Sequence, residues 1–218
     1  MGERPQAFSH ILFVGKVYYS NRSDNKNRMD TKIQDIEQRI MSSVANGDSD
    51  AMELIYTTYI RYLTAVCSRY ILNPEDVKDI LQESFIKIFS SIASFSYRGQ
   101  GSLKGWLTKI VVNDSLKFLS QAKRIDFTEL SEAESNIADE EPSMDNVPSS
   151  VIFHLIRELP DGYRTIFNLY VVEGKSHKEI ASMLNITEST SASQLHRAKA
   201  LLASKINKYK HTLETQSR

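Results

Sequence analysis

Residues 126 to 149 carry Asp126, Glu129, Glu132, Glu134, Asp139, Glu140, Glu141 and Asp145, and not one Lys, Arg or His offsets them. Apolar residues are sparse in the same stretch. A segment so charged, with so little to bury, cannot compensate the entropy of ordering, and it is expected to be a disordered or extended linker. The constraint reaches beyond the segment. Whatever folds in this chain must fold on either side of it, as two small domains rather than one of medium size.

Both flanks have the apolar period that small helical domains need. From Ile33 to Lys123 apolar residues recur at three and four. Ala51, Leu54, Ile55, Tyr59 and Leu63 form one stripe. Val77, Ile80, Leu81, Phe85, Ile88 and Phe89 form a second, and Trp106, Leu107, Ile110, Val111, Leu116 and Leu119 a third. Asn73-Pro74-Glu75-Asp76 opens the second helix: Asn73 caps it, Pro74 suits its first turn, and the acids favour the positive end of the dipole. Tyr97-Arg98-Gly99-Gln100-Gly101-Ser102 breaks the pattern and reads as a loop. Beyond the linker, Val151, Ile152, Leu155, Ile156 and Leu159 form a stripe before Pro160. Tyr163, Ile166, Phe167, Tyr170 and Val171 form the next, ending at Gly174. Two shorter units follow, Ser176 to Leu184 and Glu188 to about Ile206. No internal repeat and no strand-forming alternation is present. The expected fold class is all-α: two small helical domains joined by a flexible acidic linker, the second a helix-turn-helix domain. The expected boundaries are 1–30 for a flexible N-terminal extension, 31–124 for the first domain, 125–149 for the linker, 150–210 for the second domain and 211–218 for a flexible tail. Helix-like sequence begins just after Met29, which makes Met29 a second candidate for the translation start.

The strongest local motif runs from Ser176 to Leu202. Ser176-His177-Lys178-Glu179 fits a capping box, in which the Ser hydroxyl accepts from the third helical amide and the Glu reaches back. Ile180, Ala181 and Leu184 face inward. Asn185 suits the left-handed conformation that ends a helix, Ile186 plugs the turn, and Thr187 caps the next helix. Leu195, Ala198, Leu201 and Leu202 anchor that helix. A short helix, a three-residue turn and a longer helix make the helix-turn-helix layout, which seats its second helix in a DNA major groove. Lys175, Lys178, Arg197, Lys199, Lys205, Lys208 and Lys210 outnumber Glu179 and Glu188, as phosphate contact requires. The expected reading face, Glu188, Ser189, Ala192, Ser193, His196 and Arg197, is mostly small and polar. Such side chains reach base edges but predict no sequence.

Other classes find little support. Lys and Arg total 27, as do Asp and Glu, so the net charge is zero and names no partner. The single cysteine, Cys67, excludes an intrachain disulfide or a multi-Cys zinc site, and its apolar helical neighbours mark it as a buried thiol. No apolar run approaches the roughly 18–20 residues that span a membrane, and the patch Ile11 to Val14 is too short for a signal peptide. No phosphate-binding glycine loop, nucleophile motif or metal-ligand spacing among His10, His154, His177, His196 and His211 points to an enzyme, and no cofactor or metal is expected.

Two groups of motifs, in order, resemble a known family. Asn73-Pro74-Glu75-Asp76-Val77-Lys78-Asp79-Ile80-Leu81-Gln82-Glu83-Ser84-Phe85 resembles the second conserved region of the extracytoplasmic-function (ECF) sigma factors of the sigma-70 type. The likeness continues through Phe95, the Gly-containing loop, Gly105-Trp106-Leu107 and Ile110-Val111-Val112-Asn113. It resumes at Leu159-Pro160-Asp161-Gly162-Tyr163-Arg164 and runs through the helix-turn-helix, which resembles the family's fourth region. Together it covers roughly residues 46–124 and 150–205. The resemblance implies a sigma factor that binds RNA polymerase core, recognises the −10 and −35 promoter elements and promotes DNA opening, with no covalent chemistry of its own. It implies core polymerase contacts by Asp79, Gln82, Glu83 and Phe85, on the clamp helices of the β′ subunit. It implies −10 contacts by Tyr97, Arg98, Trp106, Lys109, Asn113 and Lys117, with an extruded base held near the Tyr97–Ser102 loop. It implies −35 contacts by Lys178, Thr187, Ser189, Thr190, Ser193, Gln194 and Arg197. The β flap, promoter DNA and an anti-sigma factor complete the implied partners, without membrane insertion, in the cytoplasm. Trp106 has a second reading as a core aromatic. The linker likewise reads either as an RNA-mimicking strand in the polymerase or as a simple spacer.

Charge follows the same division. The early part of the first domain is acidic (Asp48, Asp50, Glu53, Glu75, Asp76, Asp79, Glu83) and suits a basic protein partner. The later part is basic (Arg98, Lys104, Lys109, Lys117, Lys123, Arg124) and suits DNA. The chain departs from the family at Lys117, where Asp is frequent, at Ala192, where Lys is frequent, and at Ser191, where Val is frequent. The competing expectation is a helix-turn-helix regulator that binds DNA without polymerase.

Overall fold

A computed structural model describes residues 26–121 and 147–216, which fall into two compact units, one on each side of residues 122–146. The expected linker lies almost wholly outside the described residues, as does most of the expected N-terminal extension. Every regular element described is helical.

The first unit holds four helices, α1 (Lys26–Asn46), α2 (Ala51–Cys67), α3 (Pro74–Ser91) and α4 (Ser102–Gln121), with a 3₁₀ turn at Ile92–Ser94 after α3. Helix α1 starts at Lys26, inside the stretch 1–30 that the sequence assigns to an extension. Lys, Arg and Met are good helix formers, so a first turn needs no apolar period to be helical. Helix α4 packs on both α2 and α3, and α1 packs on α2. The three expected stripes meet in one core, with Ile55, Leu63, Ile88, Leu103, Leu107 and Val111 fully buried. Cys67 is buried among them and accepts from Ser115 Oγ at 3.5 Å; burial pushes its thiol pKa up, so it stays protonated. Asn73 caps α3 as its sequence indicates, Oδ1 accepting from the Glu75 amide at 2.9 Å with Pro74 in the first turn.

One buried group organises this unit, and the sequence gives no hint of it. Glu37 of α1 is 0% exposed. Its Oε2 accepts from the Gly101 amide at 2.8 Å, and its Oε1 accepts from the Lys104 amide at 3.0 Å and from the Tyr59 hydroxyl at 3.1 Å. The carboxylate therefore caps α4 from a distance, where orphan amides and the helix dipole both favour a negative charge. Burial, with the same carboxylate, pushes the Tyr59 phenol well above its usual range. The loop reaches this cap through Gly99 (φ 105°) and Gly101 (φ 80°), conformations that side chains resist.

The second unit holds α5 (Ser149–Arg157), α6 (Asp161–Phe167), a wide π turn at Asn168–Val172, α7 (His177–Leu184) and α8 (Glu188–Gln216). Helix α8 crosses α5, α6 and α7 and carries the core of the unit. It continues to Gln216, so most of the expected flexible tail 211–218 is helical; Lys, Thr and Leu beyond Ile206 extend an existing helix without having to nucleate one. Arg164 is 1% exposed. Its guanidinium donates to Leu159 O at 2.7 Å and to Asp161 Oδ1 at 2.6 Å, which locks the α5–α6 corner. The capping box forms as read: the Glu179 amide donates to Ser176 Oγ at 3.2 Å and the Ser176 amide to Glu179 Oε2 at 2.8 Å. Asn185 takes φ 54°, ψ 48°, the left-handed end of α7. Thr187 Oγ1 accepts from the Thr190 amide at 2.9 Å and caps α8.

Two outcomes are expected from these caps. Glu37→Ala strands two helix-end amides and a buried hydroxyl, at about 1–3 kcal/mol for each buried group left unpaired. The single tryptophan, Trp106, lies in α4 and reports this unit alone, so its fluorescence should show a strongly lowered urea midpoint. At the second cap, hydrogen bonds from Ser176 and Lys175 hold the Glu179 carboxyl down at about 2, against 4.5 for a free Glu. A depressed folded pKa adds stability above the unfolded value and loses it as pH falls. Between about pH 4.5 and about pH 2 the second unit should therefore weaken, and Glu179→Gln should remove that step from urea midpoints measured across the range.

Candidate nucleic-acid interface

In the first unit, the Glu37 cap fixes where α4 begins and hence how its first turns stand against the loop. Between the loop, the end of α3 and the exposed side of α4 lies a cleft of about 750 Å³. Trp106 and Phe95 form its aromatic wall, with ring centroids 5.0 Å apart and tilted by 36°. Arg98 and Lys109 stand exposed at its rim, and Asn113 adds an exposed amide one turn along from Lys109. Aromatic faces that stack bases under cations that meet phosphates are the usual equipment for holding a single nucleic-acid strand.

Four of the residues expected at the −10 element, Arg98, Trp106, Lys109 and Asn113, thus come together in one cleft. Trp106 lines it half-buried, which is more than a core role. The other two do not join them. The Tyr97 hydroxyl is buried, and burial with the nearby Glu37 carboxylate pushes its pKa up, so its polar end is turned into the protein. Lys117 is exposed on α4 one turn beyond Asn113, outside the cleft lining. Lys104, counted among the basic residues, folds its ammonium over the Tyr62 ring at 4.2 Å, and burial lowers its pKa.

Lys87 and Asp114 also line the cleft and were not anticipated. They pair with each other, and Ser84 Oγ donates to the second Asp114 oxygen at 2.8 Å. The pair bridges α3 and α4. Contacts across helices leave no trace in the period of either one.

On α3, Asp79, Gln82 and Glu83 are all exposed on one face, as a protein-binding surface requires. Phe85 does not belong with them. It is 5% exposed, its ring packed 4.9 Å from Tyr56 and 5.6 Å from Phe89. Two residues past Glu83, the helix has turned about 200° and aims Phe85 at the core. The exposed apolar residue on the outer face is its neighbour Ile86, at 69%.

In the second unit, Lys178, Thr187, Ser189 and Ser193 are exposed, and Thr190 and Arg197 half-buried. Gln194 is the exception at 2% exposed. It falls on the inner stripe with Ser191, Leu195, Ala198 and Leu202, so the helical phase excludes it from a groove contact. The hydroxyls of Thr187 and Thr190 lie 2.8 Å apart and are occupied with the helix cap, and Ser193 Oγ donates to the Thr190 carbonyl at 3.0 Å, which leaves Ser193 an acceptor and Ser189 the freer hydroxyl. Ala192 and His196 are exposed beside them. Among the described residues no helix is long and apolar enough to cross a membrane.

The sequence of this chain is similar to those of known proteins. The family model described as Sigma-70 region 2 matches residues 55–125, and that described as Sigma-70, region 4 matches residues 150–202. The chain is 29% identical over 182 residues to the ECF RNA polymerase sigma-E factor of Haemophilus influenzae, covering 78% of this chain and 95% of that protein. It is 31% identical over 182 residues to the protein of the same name in Salmonella typhimurium, covering 78% and 94%. The Escherichia coli K12 protein of that name is 30% identical with the same coverage, 78% and 94%.

The opposed placement of two adjacent apolar residues is directly testable. Phe85→Ala should destabilise the first unit by about 3–5 kcal/mol, as core aromatics do, whereas Ile86→Ala should stay within about 0.5 kcal/mol of the parent. Urea unfolding followed by Trp106 fluorescence separates the two.

Proposed function

The chain belongs to the ECF branch of the sigma-70 family, and we propose that its two units divide the two promoter elements between them. It is a sigma factor: it binds RNA polymerase and recognises promoters. In this division the first unit takes the −10 element and the second the −35 element, and binding of the first drives strand opening.

The observation that carries this reading is the cleft that joins Arg98, Trp106, Lys109 and Asn113. Its aromatic wall offers a stacking face to a base taken out of the duplex. Extruding a base costs a few kcal/mol of stacking, and pocket contacts offset it. The basic rim holds the backbone on either side, and the Asn113 amide supplies donor and acceptor to a base edge. No step of this requires a covalent intermediate. The Lys87–Asp114 pair keeps a carboxylate in the cleft neutralised beside a strand of phosphates.

Asp79, Gln82 and Glu83 form the surface for the clamp helices of the β′ subunit, supported by their shared exposed face on α3. Ile86, exposed beside them, adds an apolar contact of the kind that anchors interfaces. In the second unit, Ser189 and Ser193 read base edges while Lys178 and Arg197 meet phosphates. The β flap as its polymerase contact, and an anti-sigma factor as a further partner, rest on family membership alone. A factor that works with polymerase acts where polymerase is, in the cytoplasm.

A regulator acting without polymerase would bind duplex promoter DNA unaided. Run-off transcription with purified core enzyme on fragmented genomic DNA tests the choice. Promoter-dependent transcripts that require this protein are expected, and their absence together with no core binding would overturn the reading. Replacing Asp79, Gln82 and Glu83 by Ala together should weaken core affinity roughly tenfold or more while the Trp106 unfolding curve stays in place. Unchanged affinity removes the clamp surface.

A further inference from the structure

Most buried positions of the helix-turn-helix hold Ile, Leu or Ala. Ser191 differs. It sits one turn past the Thr187 cap of α8 and is 0% exposed. A buried hydroxyl needs a partner, and the one it has is His177 Nδ1, at 3.0 Å. His177 is the first residue of α7, held there by the Ser176–Glu179 capping box. Its ring stacks on Tyr170 in the π turn, with centroids 4.7 Å apart and planes inclined by 24°. One imidazole therefore joins the π turn, the first helix of the motif and the reading helix.

The side chains that flank Ser191 on the outer face are Ser189, Ala192 and Ser193, all exposed. They are short and carry little reach. A long Arg or Lys follows a displaced groove by flexing, but a Ser or Ala touches a base edge only if the helix backbone is at the right depth. Small displacements of α8 are therefore expected to be expensive in recognition, and whatever fixes its first turns acts on specificity.

We propose that His177 is a positioning residue for promoter recognition: its hydrogen bond to Ser191 sets the depth and rotation at which the first turns of α8 meet the −35 element. This rests on the assignment of that element to the second unit. The polarity of the bond depends on protonation. A neutral ring either donates to or accepts from the hydroxyl, whereas a protonated ring only donates. Burial holds the His177 pKa below its usual value. Glu188 and Lys199 of α8 face the ring, the first favouring the charged form and the second opposing it, and Tyr170 covers it from the π turn. The folded unit thus prefers the neutral ring. Its contribution is whole above the unfolded pKa and is lost as pH falls through the lowered one.

The test uses the holoenzyme on a promoter found by the transcription assay, and on the same promoter with its −35 element scrambled. The quantity read is the ratio of transcripts from the two templates. Ser191→Ala and His177→Phe should each lower the ratio about 3- to 10-fold, the effect of one hydrogen bond. The double variant should be no worse than either single, since both remove the same bond. His177→Asn, which keeps a polar atom near the Nδ1 position, should retain the ratio within about twofold. Core binding and transcription from the scrambled template should not change. The parent ratio should hold above about pH 6.5, the ordinary value for a His, and fall as the pH drops below it, whereas the Ser191→Ala ratio should not.

Single variants that keep the parent ratio, losses that multiply in the double variant, or a flat parent pH profile would each overturn the proposal. If His177→Phe fails to fold by circular dichroism, His177→Asn and the parent pH profile decide alone. A parent ratio of one takes away the −35 assignment and this inference with it. A parent ratio above one with unaffected variants removes only the inference.

Discussion

The first unit depends on a carboxylate taken out of water. Glu37 is fully buried, and a lone charge there would be strongly destabilising. It is tolerable because the start of α4 presents two amides and a positive dipole end to it, and Tyr59 adds a hydroxyl. The dependence is mutual. Gly99 O takes the Ser102 amide, but the Gly101 and Lys104 amides need a further acceptor at the start of the helix, and Glu37 supplies it. One group therefore fixes α1 on α2, the loop on α1 and the first turn of α4. Phe95, Arg98 and Trp106 hang from that loop and that turn, so the cleft inherits its shape from a residue that does not line it.

The second unit solves a similar problem differently. Its anchors are local: Arg164 reaches the carbonyl of Leu159 and the carboxylate of Asp161, and Ser176 and Glu179 cap each other. A helix-turn-helix with a rigid corner, a full capping box and a left-handed Asn185 has few ways to rearrange on binding. Rigidity suits a reader that presents the short Ser189, Ala192 and Ser193 outward, because preorganisation reduces the entropy lost on binding.

What could be read from the sequence tracks how far apart the partners lie. The Asn73 cap, the Ser176 box, the Asn185 turn and the Thr187 cap each involve residues two to four apart, and each is where the sequence indicates. Glu37 meets amides 64 and 67 residues away, and Lys87 meets Asp114 across 27. No local pattern marks such pairs; Glu37 looks like any charge on a helix that ought to face water. The site residues misplaced by sequence have a separate cause. Phe85 stands two residues from Glu83, and Gln194 one residue from Ser193. A family motif names a run of neighbours, whereas a helix turns 100° per residue and deals them to opposite faces. The phase of α3 and α8 alone sets both apart from their exposed neighbours.

The same distinction bears on what this factor reads. Of the three positions where it departs from its family, each has a different physical standing. Ser191 is interior, so replacing a usual Val there exchanges an apolar contact for a hydrogen bond with His177 and changes no DNA contact directly. Ala192 is exposed on the reading face, so replacing a usual Lys removes a cation and a long reach from the groove. Lys117 is exposed on α4 beyond Asn113, so replacing a usual Asp reverses the charge beside the proposed cleft. On the division proposed above, the first change alters how the reader is held, the second takes a contact from the −35 side, and the third adds attraction on the −10 side. On that division a cation lost from the second unit and a cation gained by the first should shift the salt dependence of binding from the second unit toward the first.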